Sequence, residues 1–240
     1  MKMNDYNTDL FTDELAKLGI TLSDFQLKQF LTYYELLIEK NKVMNLTAIT
    51  DFHEVVEKHF LDSVCLVRDI DLDQPLKVMD MGTGAGFPGI PLKIVFPKLE
   101  VTLSDSLNKR VLFLQEVIET LELKDTFAVH GRAEDLARKH EYREVFDLCV
   151  SRAVANLSTL SEYCLPFVKI GGKFISYKSG SCDEEVEQAK KSVFLLGGKV
   201  SKIDKFELCQ SNRSFIVIDK KNGSPKKYPR KAGTPSKNPL

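Results

Sequence analysis

The sequence predicts a doubly wound α/β sheet of seven strands, ending in an antiparallel hairpin and preceded by a helical section. Three observations carry this. From residue 76 onward, short apolar runs alternate with helix-periodic segments, the pattern of βαβ units around a parallel sheet. The first of these runs empties into a glycine-dense turn, Leu76–Pro91, LKVMDMGTGAGFPGIP. The last two strand-like segments, Gly198–Leu208 and Arg213–Asp219, have only Cys209–Asn212 between them, too little for a crossover helix.

Residues 1–70 carry no strand pattern and read as a helical cap on the main domain. Ser23-Asp24-Phe25-Gln26 is a capping-box signature. Behind it Leu27, Phe30, Leu31, Tyr34, Leu37 and Ile38 recur at three- and four-residue spacing, and Asn41 and Asn45 bracket the end. A second periodic segment contains Val55, Val56, His59, Phe60, Val64 and Val67.

Residues 71–220 read as the sheet domain. Strands are expected at 76–81, Val101–Ser104, Phe127–His130, Phe146–Ser151 and Lys173–Tyr177, followed by the hairpin. Helices are expected at Pro91–Phe96, Ser106–Leu121, Arg132–Lys139, Leu157–Val168 and Ser181–Leu196, the last opening on a capping box, Ser181-x-x-Glu184. In the first run, Leu76, Val78, Met79 and Met81 suit a buried strand that Asp80 interrupts; Pro91 suits the first turn of the following helix. Strand, glycine turn, helix is how an α/β protein brings backbone N–H groups close to a nucleotide-like ligand.

Gly84-Ala85-Gly86-Phe87-Pro88-Gly89 also satisfies the G-x-G-x-x-G of dinucleotide binders, with Asp105 at a suitable distance for a ribose carboxylate. The register disfavours a nicotinamide or flavin: with the first glycine directly after the strand, at Gly82, the third falls on Phe87. Gly82-x-Gly84-x-Gly86 after an acidic residue instead resembles motif I of the class I S-adenosylmethionine (SAM) methyltransferases. A parallel sheet closed by a hairpin is likewise the class I, Rossmann-like methyltransferase arrangement.

The chain has 240 residues, 43% hydrophobic, with 34 basic and 34 acidic side chains, so any nucleic-acid contact must rely on local charge. Five scattered cysteines lack C-x-x-C spacing and fit reduced thiols, neither a disulfide framework nor a zinc site; His53, His130 and His140 show no metal-ligand spacing. MKMNDYNTDL is not a signal peptide and no apolar run reaches membrane-spanning length, so a cytoplasmic protein is expected. Residues 221–240 form a basic, Pro-rich tail without Asp or Glu; Pro225, Pro229, Pro235 and Pro239 exclude a regular helix. Two readings compete there, a disordered solubilising tail and a phosphate-contacting segment around Tyr228.

Several blocks, in order, resemble the bacterial 16S rRNA guanine-N7 methyltransferases, the glucose-inhibited division protein B (GidB) family. They are NLTAI at Asn45–Ile49, then Glu54, His59 and Asp62-Ser63; DMGTGAGFPGIPL at Asp80–Leu92; DSLNKRVLFL at Asp105–Leu114; GRAEDLA at Gly131–Ala137; FDLCVSRAVA at Phe146–Ala155; Lys178-Ser179-Gly180; and RKAGTPSKNPL at Arg230–Leu240. The resemblance implies SAM as cofactor and 16S rRNA or the small ribosomal subunit as substrate, with no membrane, no metal and a monomer expected. It places Gly82, Gly84, Gly86 and Phe87 against the methionine and ribose parts of SAM, Asp105 on the ribose hydroxyls, and Ala133-Glu134 at the adenine. Arg152 would contact SAM or the target base. Lys178, Arg230 and Lys231 are expected to contact RNA, with Glu54 and His59 bordering the cleft.

Each assignment has an ordinary counterpart. Asp80 could only fix the loop, Asp105 could cap a helix, Glu134 could be a solvated first-turn residue, Arg152 a salt-bridged arginine, and His59 a satisfied core histidine. Because guanine N7 carries a free in-plane lone pair, no obligatory general base is expected, and rate comes from alignment. The alternatives are methyl transfer to a protein or small molecule, and an inactive SAM- or RNA-binding accessory protein.

Overall fold

The computed structural model describes residues 6–152 and 154–240; the first five residues of the leader reading and Ala153 of the SRAVA block lie outside them. Seven strands, β1 (Lys77–Met81), β2 (Glu100–Asp105), β3 (Thr126–His130), β4 (Phe146–Arg152), β5 (Val168–Ser179), β6 (Gly198–Leu208) and β7 (Ser211–Lys220), form one sheet in the order β3-β2-β1-β4-β5-β7-β6. The first five are parallel and β7 is antiparallel to both β5 and β6. The expected seven-stranded sheet with its closing hairpin is therefore what forms. The strand order reverses between β1 and β4, which opens a crevice at their carboxyl ends. Edge strand β6 is studded with exposed Lys199, Lys202 and Lys205, which discourages another strand from pairing there.

Each face of the sheet has its own core. Val78, Val101, Leu103 and Val150 pack with the N-terminal helices α1 (Asp9–Lys17) and α2 (Asp24–Met44), and with α5 (Gly89–Val95) and α6 (Asn108–Thr120). Met79, Met81, Cys149 and Phe174 pack with α7 (Ala133–Leu136), α8 (Leu157–Cys164), α9 (Asp183–Leu195) and Tyr228 of the tail. Alternate residues of β1 feed the two cores, as a period of two requires.

Helix α2 starts on the predicted capping box: the Ser23 hydroxyl accepts from Gln26 N–H and Gln26 Oε1 accepts from Ser23 N–H. Its buried face is Gln29, Phe30, Tyr33, Tyr34 and Leu37, with Leu27, Leu31 and Ile38 at the margins. Asn41 Oδ1 then accepts from Leu46 and Thr47 N–H, stopping the helix. The second periodic segment is irregular: α3 (Phe52–Val55), a π-helical stretch Val56–Leu61, α4 (Asp62–Val64) and a 3₁₀ turn Cys65–Arg68.

Two local expectations fail. The Ser181–Glu184 capping box does not form: the Ser181 hydroxyl donates to Asp183 instead, and the cap of α9 is Cys182, without a side-chain bond. Leu157–Val168 is not one helix; Pro166 falls in a 3₁₀ turn, Leu165–Phe167, and Val168 already belongs to β5.

The tail is neither an open arm nor extended. Lys220 is fully buried and donates to Leu165 O and Ser224 Oγ. Arg143 donates to the carbonyls of Ser224 and Tyr228, and Arg138 to that of Pro229. Tyr228 is buried, and Thr159 Oγ1 donates to Pro235 O. Despite its prolines the tail closes one helical turn, α10 (Thr234–Lys237), because Pro235 sits in its first positions, where no N–H is needed.

The turn after β1 is tightly packed. Gly86 has φ +108°, and a Cβ there would lie 2.6 Å from Ile90 Cγ1 and 2.7 Å from Tyr33 Oη. Gly86→Ala should therefore cost about 3 kcal/mol or more in chemical denaturation, from backbone strain and overlap together; a loss below about 1 kcal/mol would show that this packing yields easily.

Candidate functional site

Asp80, at the penultimate position of β1, is buried; its Oδ2 accepts from the Thr83 hydroxyl (2.6 Å) and from Gly89 N–H (2.7 Å). One oxygen thus ties both ends of the glycine turn to the strand. Its Oδ1 has no hydrogen-bond partner among the described residues, and burial pushes the carboxyl up to about 6 in spite of those two bonds. From the other side Tyr33 Oη donates to Ala85 O at 2.6 Å. So α2, whose pattern marked Tyr34, positions the turn through the adjacent Tyr33, which the spacing of apolar residues does not single out.

Two cavities meet at this turn. One, of about 380 Å³, is lined by Gly82, Asp105, Ser106, Ala133, Glu134 and Tyr163, among others. The second, of about 480 Å³, is lined by Gly84, Phe87, His59, Asp62, Arg152 and Arg213, among others. Gly82 and Arg110 belong to both. Gly84 has φ +62° and faces open space where a Cβ would stand, so its backbone is bare to a ligand.

Asp105 ends β2 buried, with both carboxylate oxygens engaged. Oδ1 accepts from Leu107 N–H, and Oδ2 from Gly84 N–H and from Arg110 Nη1 at 3.2 Å. Arg110 is the partner that can leave, being about a third exposed. Ala133 and Glu134 are buried, and Glu134 Oε1 accepts from Gly233 N–H of the tail at 2.8 Å. The picture of Glu134 as a solvated helix residue does not hold.

In the larger cavity Arg152, at the end of β4, donates through Nη1 to Asp62 Oδ2 (2.6 Å) and to Lys58 O (3.2 Å), and through Nη2 to His59 Nδ1 (3.3 Å). Its guanidinium carbon lies 5.1 Å from the Phe87 ring centroid. Arg213 Nε donates to the other oxygen of Asp62 at 2.6 Å. Three of the five N–H groups of Arg152 are engaged among the described residues, leaving Nε–H and one on Nη2 for a ligand.

His59 stacks on Phe87, centroids 4.5 Å apart at 20°. Its Nε2 lies 2.9 Å from Thr47 Oγ1, and its Nδ1 3.1 Å from Lys58 O and 3.3 Å from Arg152 Nη2; the tautomer with the proton on Nε2 donates to Thr47 and lets Nδ1 accept from Arg152. Burial first, then the Arg152 charge, hold the ring down to about 4, so it is neutral near pH 7. His59 is thus a satisfied wall residue that also borders the cleft. The π-helical stretch is what brings His59 and Asp62 to the cleft, and nothing in the periodic pattern announces it.

The structure does not gather every expected residue. Lys178 lines the larger cavity but is paired with Glu185. Arg230, expected to reach RNA, turns inward: Nε and Nη2 grip the buried carboxylate of Glu162, and its own N–H donates to the same group. Lys231 is exposed and apart from both cavities. Glu54 lies outside the cleft in a pair with Lys58. Asp62 belongs to a block the resemblance places at the cleft, though without a role of its own; Arg213 is the member sequence reasoning left out, sitting in the hairpin, far from any marked block.

Residues 26–215 match the family described as rRNA small subunit methyltransferase G. A Lachnoclostridium phytofermentans protein named ribosomal RNA small subunit methyltransferase G is 53% identical, over 99% of this chain and 98% of its own length. One of the same name from Bacillus licheniformis is 49% identical over 98% and 99%. Among solved structures, a SAM-dependent methyltransferase from Aquifex aeolicus superposes with a TM-score of 0.54 at 18% identity, covering 72% of this chain and 96% of that one. M. jannaschii TYW2, solved with AdoMet, gives 0.56 at 16% identity, over 72% and 79%. The chain belongs to the rRNA small subunit methyltransferase G family.

Because the folded state holds His59 at about 4 against about 6.5 in an unfolded chain, the unfolded state takes up this proton first as the pH falls. Stability from this group is therefore lost as the pH drops from about 6.5 towards 4. Relative to His59→Gln, the parent should lose about 2 kcal/mol between pH 7 and pH 5 in urea titrations; parallel pH dependence of the two proteins would contradict a buried neutral imidazole.

Proposed function

We propose that this protein transfers a methyl group from SAM to N7 of a guanine in 16S rRNA. The single observation that carries the reading is the junction of the two cavities at Gly82, with a carboxylate-bearing pocket on one side and a cation-lined cleft on the other. The donor set of the smaller cavity fits an adenosine group: Asp105 to accept ribose hydroxyls once Arg110 swings away, with Ala133 and Glu134 beyond it. Gly82, shared by both cavities, and the bare backbone of Gly84 lead from there to the larger cleft. When bound, SAM supplies an electrophilic methyl group on a sulfonium centre.

The larger cleft supports an RNA reading. Lys58, Arg110, Arg152, Lys178 and Arg213 line it against one carboxylate, Asp62. Some of this charge is answered from outside by Glu54, Glu185 and Asp105, but its balance suits a polyanion. Phe87 and His59 give a π surface on which an unpaired base can stack.

No residue needs to remove a proton, since N7 attacks through its own lone pair. The cleft is consistent with this, because its one imidazole is neutral and occupied with Thr47 and Arg152. Arg152 acts by position: fixed on Asp62, Lys58 O and His59, it holds Phe87 beneath it and offers its two remaining N–H groups to the guanine or its phosphate. N7 lies in the deep groove of A-form RNA, so the target guanine must be unpaired. The substrate sets a cytoplasmic location, and no helix among the described residues is long and apolar enough to cross a membrane.

Incubation with methyl-labelled SAM and small-subunit RNA, or particles lacking the modification, should label one guanine at N7. Arg152→Ala should lower the transfer rate by about 10²-fold or more with S-adenosylhomocysteine affinity changed less than about threefold. Retained transfer would remove Arg152 from the target site. Tight cofactor binding with label in no RNA would overturn the substrate.

A further inference from the structure

The tail reaches the smaller cavity. Gly233 and Ser236 stand in its lining together with Tyr163 of α8, and Gly233 N–H holds Glu134, whose side chain is buried beside them. The Ser236 hydroxyl donates back to Gly233 O at 3.2 Å. Behind this wall, Arg230 is locked on Glu162 and also donates through Nη2 to Asn238 O, and Thr159 holds Pro235, so the loop cannot drift without breaking those bonds.

We infer that residues 232–240 form the outer wall of the cofactor pocket, with Gly233 and Ser236 as cofactor-site residues that close on the adenosine half beside Glu134. This rests on the SAM reading of the smaller cavity and deepens it. It reassigns a basic, Pro-rich segment whose composition suggests an RNA arm. The tail cations that remain exposed are Lys221, Lys226, Lys227, Lys231 and Lys237.

Two variants separate wall from arm. Deletion of residues 232–240 removes Gly233 and Ser236 but leaves the Arg230–Glu162 pair and buried Tyr228 in place. Ser236→Trp fills the cavity from an exposed position and needs no refolding. Calorimetric titration with S-adenosylhomocysteine should show Kd raised tenfold or more in both variants, while the slope of log RNA affinity against log salt stays within one phosphate contact, ~0.7, of the parent. S-adenosylhomocysteine should in turn slow tryptic cleavage after Lys231 in the full chain, since coupling between ligand and wall is reciprocal. Unchanged Kd in Ser236→Trp overturns the assignment even if the deletion fails to fold. Unchanged Kd in a folded deletion likewise overturns the assignment. Absence of S-adenosylhomocysteine binding by the full chain overturns the SAM reading itself.

Discussion

The glycine turn stays where it is because one oxygen of Asp80 accepts from both Thr83 and Gly89, nine residues apart in sequence from the carboxylate to the second donor. Everything chemical in the molecule is arranged about that turn. Its backbone separates the two cavities, it presents Phe87 to one and Gly82 to both, and α5 springs from it. The cost is visible on the same side chain, whose other oxygen is buried without a partner and whose acidity is weakened by burial. A charged or half-charged carboxylate in a core is tolerated only where its bonds fix something that apolar packing cannot. Apolar packing has no direction; two N–H and O–H donors converging on one oxygen do.

The N-terminal helices belong to the same logic. They contribute Tyr33 to the turn, His59 to the stack on Phe87, and Asp62 to the arginines. Asp62 is nearly fully buried between Arg152 of β4 and Arg213 of β7, the two strands that flank β5. Two guanidinium groups on one carboxylate leave net positive charge in a partly enclosed cleft, where screening by salt is weak. That arrangement holds the arginines pointing inward before any substrate arrives, so little side-chain ordering is left to be done on binding.

Much of this is legible in the residues. Alternation of apolar runs and helical periods, and the missing crossover before β7, specify the sheet because they reflect local geometry. The register of Gly82, Gly84 and Gly86 specifies the ligand class because only one strand boundary fits it. What stayed hidden is what depends on distant partners or on irregular backbone. The resemblance puts His59 and Asp62 near the cleft, but the π-helical stretch that carries them there leaves the apolar pattern unaltered. Arg213 looks like any strand cation until β7 pairs with β5 beside the crevice. The Ser181 capping box matched a pattern, yet the hydroxyl donates to the Asp183 carboxylate and the helix is capped at Cys182.

The tail shows why composition misleads most where charge is concerned. Its seven cations, from Lys220 to Lys237, look alike in a sequence without periodicity. In the fold they divide by the carboxylates available to them. Lys220 is buried against Glu144, its pKa pushed down to about 8 by burial and partly raised again by that partner, and Arg230 is clamped on Glu162. Both acids lie roughly seventy residues upstream, so no window of the tail contains them. A buried ion pair adds little net stability but is costly to break from one side, which makes such pairs better at fixing position than at strengthening a fold. Here they fix a loop that ends on Gly233, whose N–H meets Glu134 at the rim of the adenosine-side cavity. The inward cations thus serve the pocket and the outward ones the surface, and it is the acids on other elements that decide which is which.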